Sequence, residues 1–164
     1  MTHWIPAYIG VGSNLGDSLA RVEAAFEALA RVPQTRLIAR SRLYRTRPFG
    51  PVAQDDFINA VAGVLTQRSA GELLQALRDI EAAAGRLRAE RWGPRTLDLD
   101  LLVYGDRRIA EPDLLVPHPG IAERGFVLRP LNDVAPTLDV PGVGRVDELL
   151  RRLPDDGVAS VITA

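Results

Sequence analysis

This sequence predicts an α+β fold with a ferredoxin-like βαββαβ core: a mainly antiparallel sheet, helices on one face, and two long active-site loops. Three observations carry that prediction. Residues 15–31 and 69–84 repeat apolar side chains at helical spacing. Four apolar or alternating stretches surround them, in the order strand, helix, strand, strand, helix, strand. The two longest irregular segments, 46–56 and 86–94, converge with the last of those strands on the sheet face that the helices are expected to leave free.

Each element has a local reason. Residues 4–11 are a short apolar run ending in Gly12-Ser13-Asn14, a strand and then a turn in which Ser13 or Asn14 caps the first helix. Over 15–31, Leu19, Val22, Ala25, Phe26 and Leu29 form one stripe, and Pro33 stops the helix. Residues 37–44 set Leu37, Ala39, Ser41 and Leu43 against Ile38, Arg40, Arg42 and Tyr44, which fits a strand with one wet face. Two prolines and few core formers make 46–56 a loop, and a long loop inside a compact domain is usually functional or mobile.

Residues 57–65 form a second apolar strand. Ser69 with Glu72 spells a capping box, Leu73, Leu74, Leu77 and Ile80 form the buried stripe of the second helix, and Gly85 ends it. An arginine-rich loop, 86–94, leads into the strand 97–104, closed by Gly105-Asp106. One or two short helices broken around Gly125 and Pro130 are expected in 117–133, and a small one in 146–153. No repeat or linker divides the chain, so 1–164 reads as a single domain.

Composition narrows the function. With 46% apolar and 25% charged residues the chain is globular, and a net charge of -1 offers no basic field for nucleic acid. Every basic residue except the two histidines is arginine, which excludes a P-loop lysine, a protein-kinase strand lysine and a Schiff base. Zero cysteines exclude disulfides, thiol catalysis and cysteine-zinc sites. The N-terminus carries no signal-like pattern and no apolar run is long enough to span a membrane, so a cytoplasmic location without membrane or nucleic-acid partners is expected.

The densest chemistry lies in Arg91-Trp92-Gly93-Pro94-Arg95-Thr96-Leu97-Asp98-Leu99-Asp100. On a strand Asp98 and Asp100 project from one side, roughly 7 Å apart at Cα, while Leu97, Leu99 and Leu101 face the core. Two like charges that close repel, and a hard divalent cation is the natural remedy, because Mg²⁺ combines a few carboxylates with phosphate and water oxygens. The neighbouring arginines are phosphate binders. Asp-Leu-Asp-Leu alone would equally suit a solvated edge strand, but such an edge has no need of Trp92 and a Gly-Pro turn. The local chemistry reads as metal-assisted work on a polyphosphate.

Several segments together resemble the 6-hydroxymethyl-7,8-dihydropterin pyrophosphokinase family. They are Tyr8-Ile9-Gly10-Val11-Gly12-Ser13-Asn14-Leu15-Gly16-Asp17, Tyr44-Arg45-Thr46-Arg47-Pro48-Phe49-Gly50, Phe57-Ile58-Asn59, the Arg91 to Asp100 run, Val116-Pro117-His118-Pro119 and Glu123-Arg124-Gly125-Phe126-Val127-Leu128. The likeness runs from about Tyr8 to Pro136, and the Arg-Trp-Gly-Pro-Arg-Thr-Leu-Asp-Leu-Asp run is its most specific part. Two departures are Asp55, where proline is common, and Gly120, where arginine often follows His-Pro. They bear on loop stiffness and on a peripheral phosphate contact.

The resemblance implies pyrophosphoryl transfer from ATP to the hydroxymethyl group of the dihydropterin, with AMP leaving and the action belonging to folate biosynthesis. It implies two Mg²⁺ ions on Asp98 and Asp100, and ATP contacts from Glu81, Arg86, Arg88, Trp92, Arg95, Leu101, His118 and Arg124. Arg86 and Arg95 join the two aspartates as catalytic candidates. Around the pterin it places Thr46, Pro48, Phe49, Phe57, Asn59, Trp92, Asp98 and Phe126. Phe126 would stack on the bicycle, and Asn59, a donor and an acceptor, would match its amide-like edge.

Other roles remain open for some of these residues. Phe57 is either core or pterin wall, Trp92 either caps the core or lines the site, His118 is either structural or a phosphate ligand, and Arg91 is as readily a surface residue. A monomer is expected. Two different functions compete: a nucleotidyltransferase or cyclase palm domain, which would release pyrophosphate, and an RNA-recognition module. The second needs aromatics on a basic sheet face, where this chain puts acids.

Overall fold

The central strand, β1 (Ile5–Ser13), lies antiparallel between β4 (Phe57–Thr66) and β5 (Asp98–Tyr104) in the computed structural model, which describes residues 3–47, 53–85, 97–154 and 159–162. Beyond β4 come β2 (Thr35–Arg40) and β3 (Leu43–Thr46), and β3 carries β10 (Ala159–Ile162) on its far side. Helices α1 (Ser18–Ala30) and α2 (Ala70–Ala83) cover one face. There Phe26, Leu29, Leu73 and Leu77 bury against Ile9, Val11, Ala62 and Leu99. The expected βαββαβ order holds, with its second strand split in two.

Both helix starts are explained by side-chain chemistry. Ser69 Oγ accepts the Glu72 N–H at 3.2 Å while Glu72 Oε1 accepts the Ser69 N–H at 3.2 Å, so the capping box forms as the sequence spells it. At α1 the cap is instead Asp17, whose carboxylate accepts the Ala20 N–H at 3.1 Å. The turn that delivers it needs φ +74° at Gly16, so Ser13 and Asn14 sit too early to cap. Leu19, expected in the buried stripe, falls on the first turn and is 45% exposed.

The single strand expected over 37–44 is two strands. Ser41 interrupts the ladder on β4: its N–H donates to Val61 O at 2.9 Å and its hydroxyl accepts the Val61 N–H at 2.8 Å, the bond a regular strand carbonyl would take. Arg42 then turns outward to meet α3 (Gly125–Val134). Asp133 on that helix accepts from Arg42 Nη2 at 2.8 Å, from the Arg42 backbone N–H at 3.1 Å and from the Tyr44 hydroxyl at 2.9 Å.

This pin should be visible in the pH dependence of stability. Burial pushes the Asp133 carboxyl up, but hydrogen bonds from Arg42 and Tyr44 outweigh it and hold the group below its usual range. Its contribution is therefore full above about pH 4 and lost as pH falls towards the depressed native value. Burial first, and the hydrogen bond to Asp133 second, push the Tyr44 phenol up to about 12, so its share is lost as pH rises from about 10 towards that value. Asp133→Asn should cost about 1–2 kcal/mol at pH 7, read by urea melts, with the gap to the parent narrowing once pH falls below about 4.

The second sheet face is not free along its whole length, contrary to expectation. A bulge in β5 enlarges the covered part. Against β1 the register passes from Tyr8–Val103 to Ile9–Leu101, leaving Leu102 extra. Leu102 and Val103 consequently both join Val61, Val127, Leu128 and Leu131 in a second core under α3 and α4 (Val146–Arg152). A 3₁₀ turn at Ile121–Glu123 precedes α3, so the break near Gly125 is real, but α3 continues through Pro130.

Two hairpin-like pairs, β6 (Ile109–Glu111) with β7 (Leu114–Val116) and β8 (Asp139–Val140) with β9 (Gly144–Arg145), complete the described chain. Among the described residues no helix is long and apolar enough to cross a membrane.

Candidate active site

Antiparallel register assembles the site, because directly opposed residues share a face. One row across the sheet reads Tyr44, Asn59, Gly12, Asp98, and the next holds Val61, Gly10, Asp100. Thr46 lies opposite Phe57 at the margin. In the middle of both rows stands a glycine. Acids on β5 and an amide on β4 thus flank a central strand that carries no side chain at these two rows, and a furrow results.

The furrow opens into a cleft of about 480 Å³, lined by Thr46, Phe57, Asn59, Asp98, Asp100, Arg124 and Phe126 among others. Asn59 Nδ2 donates to Thr46 Oγ1 at 2.7 Å, which fixes the amide towards β3. Its Oδ1 lies over Gly12, where an added Cβ would stand 2.7 Å away. Arg124 lies across the cleft wall with its guanidinium carbon 5.8 Å from the Phe126 ring centroid. Gly120 makes that course possible, since a Cβ there would meet Arg124 Nε at 2.6 Å. The Gly120 departure therefore gives Arg124 room.

A second cleft, of about 430 Å³, runs between α2 and the β6–β7 hairpin. Glu81, Leu101 and His118 line it together with Arg78 and Asp113, and Asp100 lines both clefts. Glu81 is only 5% exposed, and its Oε2 accepts the Leu99 N–H at 2.9 Å on the open edge of β5. That bond joins α2 directly to the acidic strand.

His118 is held at its backbone and its ring. Its N–H donates to Leu102 O at 2.9 Å, and Nδ1 accepts the Gly120 N–H at 3.2 Å, which leaves the proton of the neutral ring on Nε2. Burial pulls the imidazole below its ordinary value, Asp100 opposes that, and Arg124 adds to it. His118 shares the second cleft with Asp100, the residue that also lines the first.

Among the described residues no group of three or more His, Asp or Glu side chains is placed to hold a metal. Two carboxylates at same-face positions beside open clefts are the wrong set for an all-protein cage. They suit a hard cation that brings phosphate and water oxygens with it. The expected core positions Leu97, Leu99 and Leu101 are buried behind them.

The expected residues separate cleanly. Thr46, Phe57, Asn59, Asp98 and Phe126 meet in the first cleft, Glu81, Leu101 and His118 in the second, while Arg124 sits on the first rather than with the other expected ATP ligands. Pro48, Phe49, Arg86, Arg88, Arg91, Trp92 and Arg95 lie outside the described residues. Three features escaped the sequence reading. The glycine floor was signalled by Gly10 and Gly12 two apart in an apolar strand, a pattern that marks close approach. Arg47 and Glu123 also line the first cleft, and nothing in their local sequence separates them from surface charges. Asn14, no cap, donates to Gln54 Oε1 at 2.7 Å and to the Asp55 carbonyl at 2.9 Å, bonding the strand end to the returning loop.

Comparison with known proteins gives the same picture. A family model described as 7,8-dihydro-6-hydroxymethylpterin-pyrophosphokinase matches residues 8–136. A 2-amino-4-hydroxy-6-hydroxymethyldihydropteridine pyrophosphokinase of Pseudomonas aeruginosa is 45% identical, over 92% of this chain and 93% of that protein. The protein of that name from Haemophilus influenzae is 40% identical over 92% and 94% respectively. A crystal structure of Plasmodium falciparum HPPK-DHPS A437G with pteroate superposes with a TM-score of 0.72 at 14% identity, covering 92% of this chain and 41% of that one. At that identity the likeness speaks for the fold, and the chain spans less than half of that bifunctional protein.

Proposed function

We infer the division of labour between the two clefts from one premise: the chain belongs to the 7,8-dihydro-6-hydroxymethylpterin-pyrophosphokinase family. It is an ATP-dependent enzyme of folate biosynthesis that transfers pyrophosphate to the hydroxymethyl group of 6-hydroxymethyl-7,8-dihydropterin, giving AMP and the pterin diphosphate. The first cleft takes the pterin and the second takes ATP. The observation that carries this assignment is Asp100, which lines both and so stands where the two substrates must meet.

In this reading Phe126 and Phe57 face the flat heterocycle and Asn59 pairs with its polar edge. Glu81, Leu101 and His118 form the nucleotide wall, and Arg124 reaches the phosphates from the cleft junction. The resemblance adds Pro48, Phe49 and Trp92 around the pterin and Arg86, Arg88 and Arg95 on the triphosphate, with Arg86 and Arg95 neutralising charge as it develops. Asp98 and Asp100 would hold two Mg²⁺ ions, which when bound offset phosphate charge and acidify a coordinated hydroxyl. The protein's own work is alignment: it brings a primary alcohol in line with the β-phosphorus and keeps competing water out. We also take the chain to act as a monomer, and ATP as co-substrate supports a cytoplasmic location.

The experiment is direct. Incubation with ATP, Mg²⁺ and the hydroxymethyl dihydropterin should yield AMP and the pterin diphosphate in equal amounts. Release of pyrophosphate instead would favour the nucleotidyltransferase reading and end this one.

A further inference from the structure

Gly12 has no reacting role in the site, yet it occupies the centre of the row that joins Asn59 to Asp98. Its neighbour on the same face, Gly10, sits in the next row between Val61 and Asp100. The two glycines are not equivalent. A Cβ at Gly10 would meet Leu102 at 3.5 Å, an ordinary contact, whereas at Gly12 it would meet Asn59 Oδ1 at 2.7 Å. The backbone of Gly12 is in an extended strand and has no positive φ, so conformational freedom does not explain the residue. Space does.

We propose that Gly12 is a positioning residue for substrate specificity: its missing side chain is the seat of the Asn59 amide, which it holds, with Thr46, at the height and angle that the heterocycle's polar edge requires. The inference rests on the pterin reading of the first cleft. On one side Thr46 Oγ1 takes the Nδ2 hydrogen at 2.7 Å, and on the other the Oδ1 end lies on the Gly12 backbone. The amide is thus braced between β3 and β1. One Nδ2 hydrogen and the Oδ1 lone pairs remain to face a ligand, one donor beside one acceptor, which is the pattern of a cyclic amide edge. A methyl group at position 12 evicts Oδ1 from its seat and tilts that pair away.

The test is a double-mutant cycle on Gly12→Ala and Asn59→Ala, read by calorimetric titration with the dihydropterin and, separately, with a non-hydrolysable ATP analogue. Asn59→Ala should weaken pterin binding by about thirtyfold, the scale of one hydrogen-bonding group lost in a dry site. Gly12→Ala should lose a similar factor and leave affinity for the ATP analogue within about twofold. In the Asn59→Ala background the Gly12→Ala change should cost nothing further in pterin affinity or thermal stability, because the clashing atom is gone. Gly10→Ala should cost distinctly less than Gly12→Ala. Additive losses, equal losses from both glycine variants, or unaltered pterin binding by Gly12→Ala would each overturn the inference while leaving the cleft assignment in place. If Asn59→Ala itself binds pterin normally, the pterin reading of the cleft fails as well. Should Gly12→Ala alone not fold, the double variant decides: restored folding supports the clash with Asn59, and continued failure refutes it.

Discussion

Asp100→Ala is expected to lower turnover by at least about a thousandfold, more than the loss of a single electrostatic stabiliser costs. Asp100 is the residue both clefts share, and in the proposed reading its carboxylate stands beside the phosphate that is transferred. Its side chain is exposed, and removing one acid from a repelling pair relieves strain, so the melting temperature should stay level or rise. Asp98→Ala should fall as far in activity, but Asp98 is half-buried and its stability change will be less benign. Single-turnover rates across a Mg²⁺ titration separate chemistry from product release. Near-normal rates at saturating Mg²⁺ in either variant would remove the two aspartates from the metal site.

The second large effect concerns stability. Glu81→Ala should cost about 3 kcal/mol, because it opens a cavity and strips the buried Leu99 N–H of its acceptor. Glu81→Gln keeps an oxygen acceptor and should lose much less. The same pair tests the nucleotide role that the resemblance gives this residue. If Glu81 also contacts ATP, the glutamine variant will fold well yet bind the nucleotide more weakly. If it serves only to bind α2 to the acidic strand, ATP affinity will track stability and the glutamine variant will bind normally. An alanine variant as stable as its parent would show that the Leu99 bond carries little.

Local chemistry was legible in the sequence, and long-range partners were not. Ser69 and Glu72 cap each other three residues apart, so the start of α2 could be read from residues 69–72 alone. Asp98 and Asp100 share a face because strands alternate, and the structure keeps that alternation up to Leu101. By contrast, the split of 37–44 depends on Ser41 replacing a carbonyl for Val61, a residue far along the chain. Strand β10 exists because Ala159 to Ile162 finds the free edge of β3, and nothing in four small and apolar residues announces that edge. The covering of the second face by α3 was equally hidden: Val61 and Leu102 meet Val127, Leu128 and Leu131 only once the chain has folded, and the bulge at Leu102 adds Val103 against the simple alternation.

That bulge sets what β5 can tolerate in evolution. Upstream of it the strand keeps a two-beat rhythm, acid outward and leucine inward; downstream the beat is reversed, so that Tyr104 points to the first core and its hydroxyl donates to the Arg68 carbonyl. The extra residue works like a phase shifter spliced between two mechanisms that must each keep their own timing. Substituting one aliphatic side chain for another leaves both halves in step. Losing a single residue between Asp100 and Tyr104 would bring the wrong half into phase, turning either the acids into the core or the tyrosine away from its carbonyl. At the aliphatic positions of this strand the number of residues is under tighter constraint than their identity.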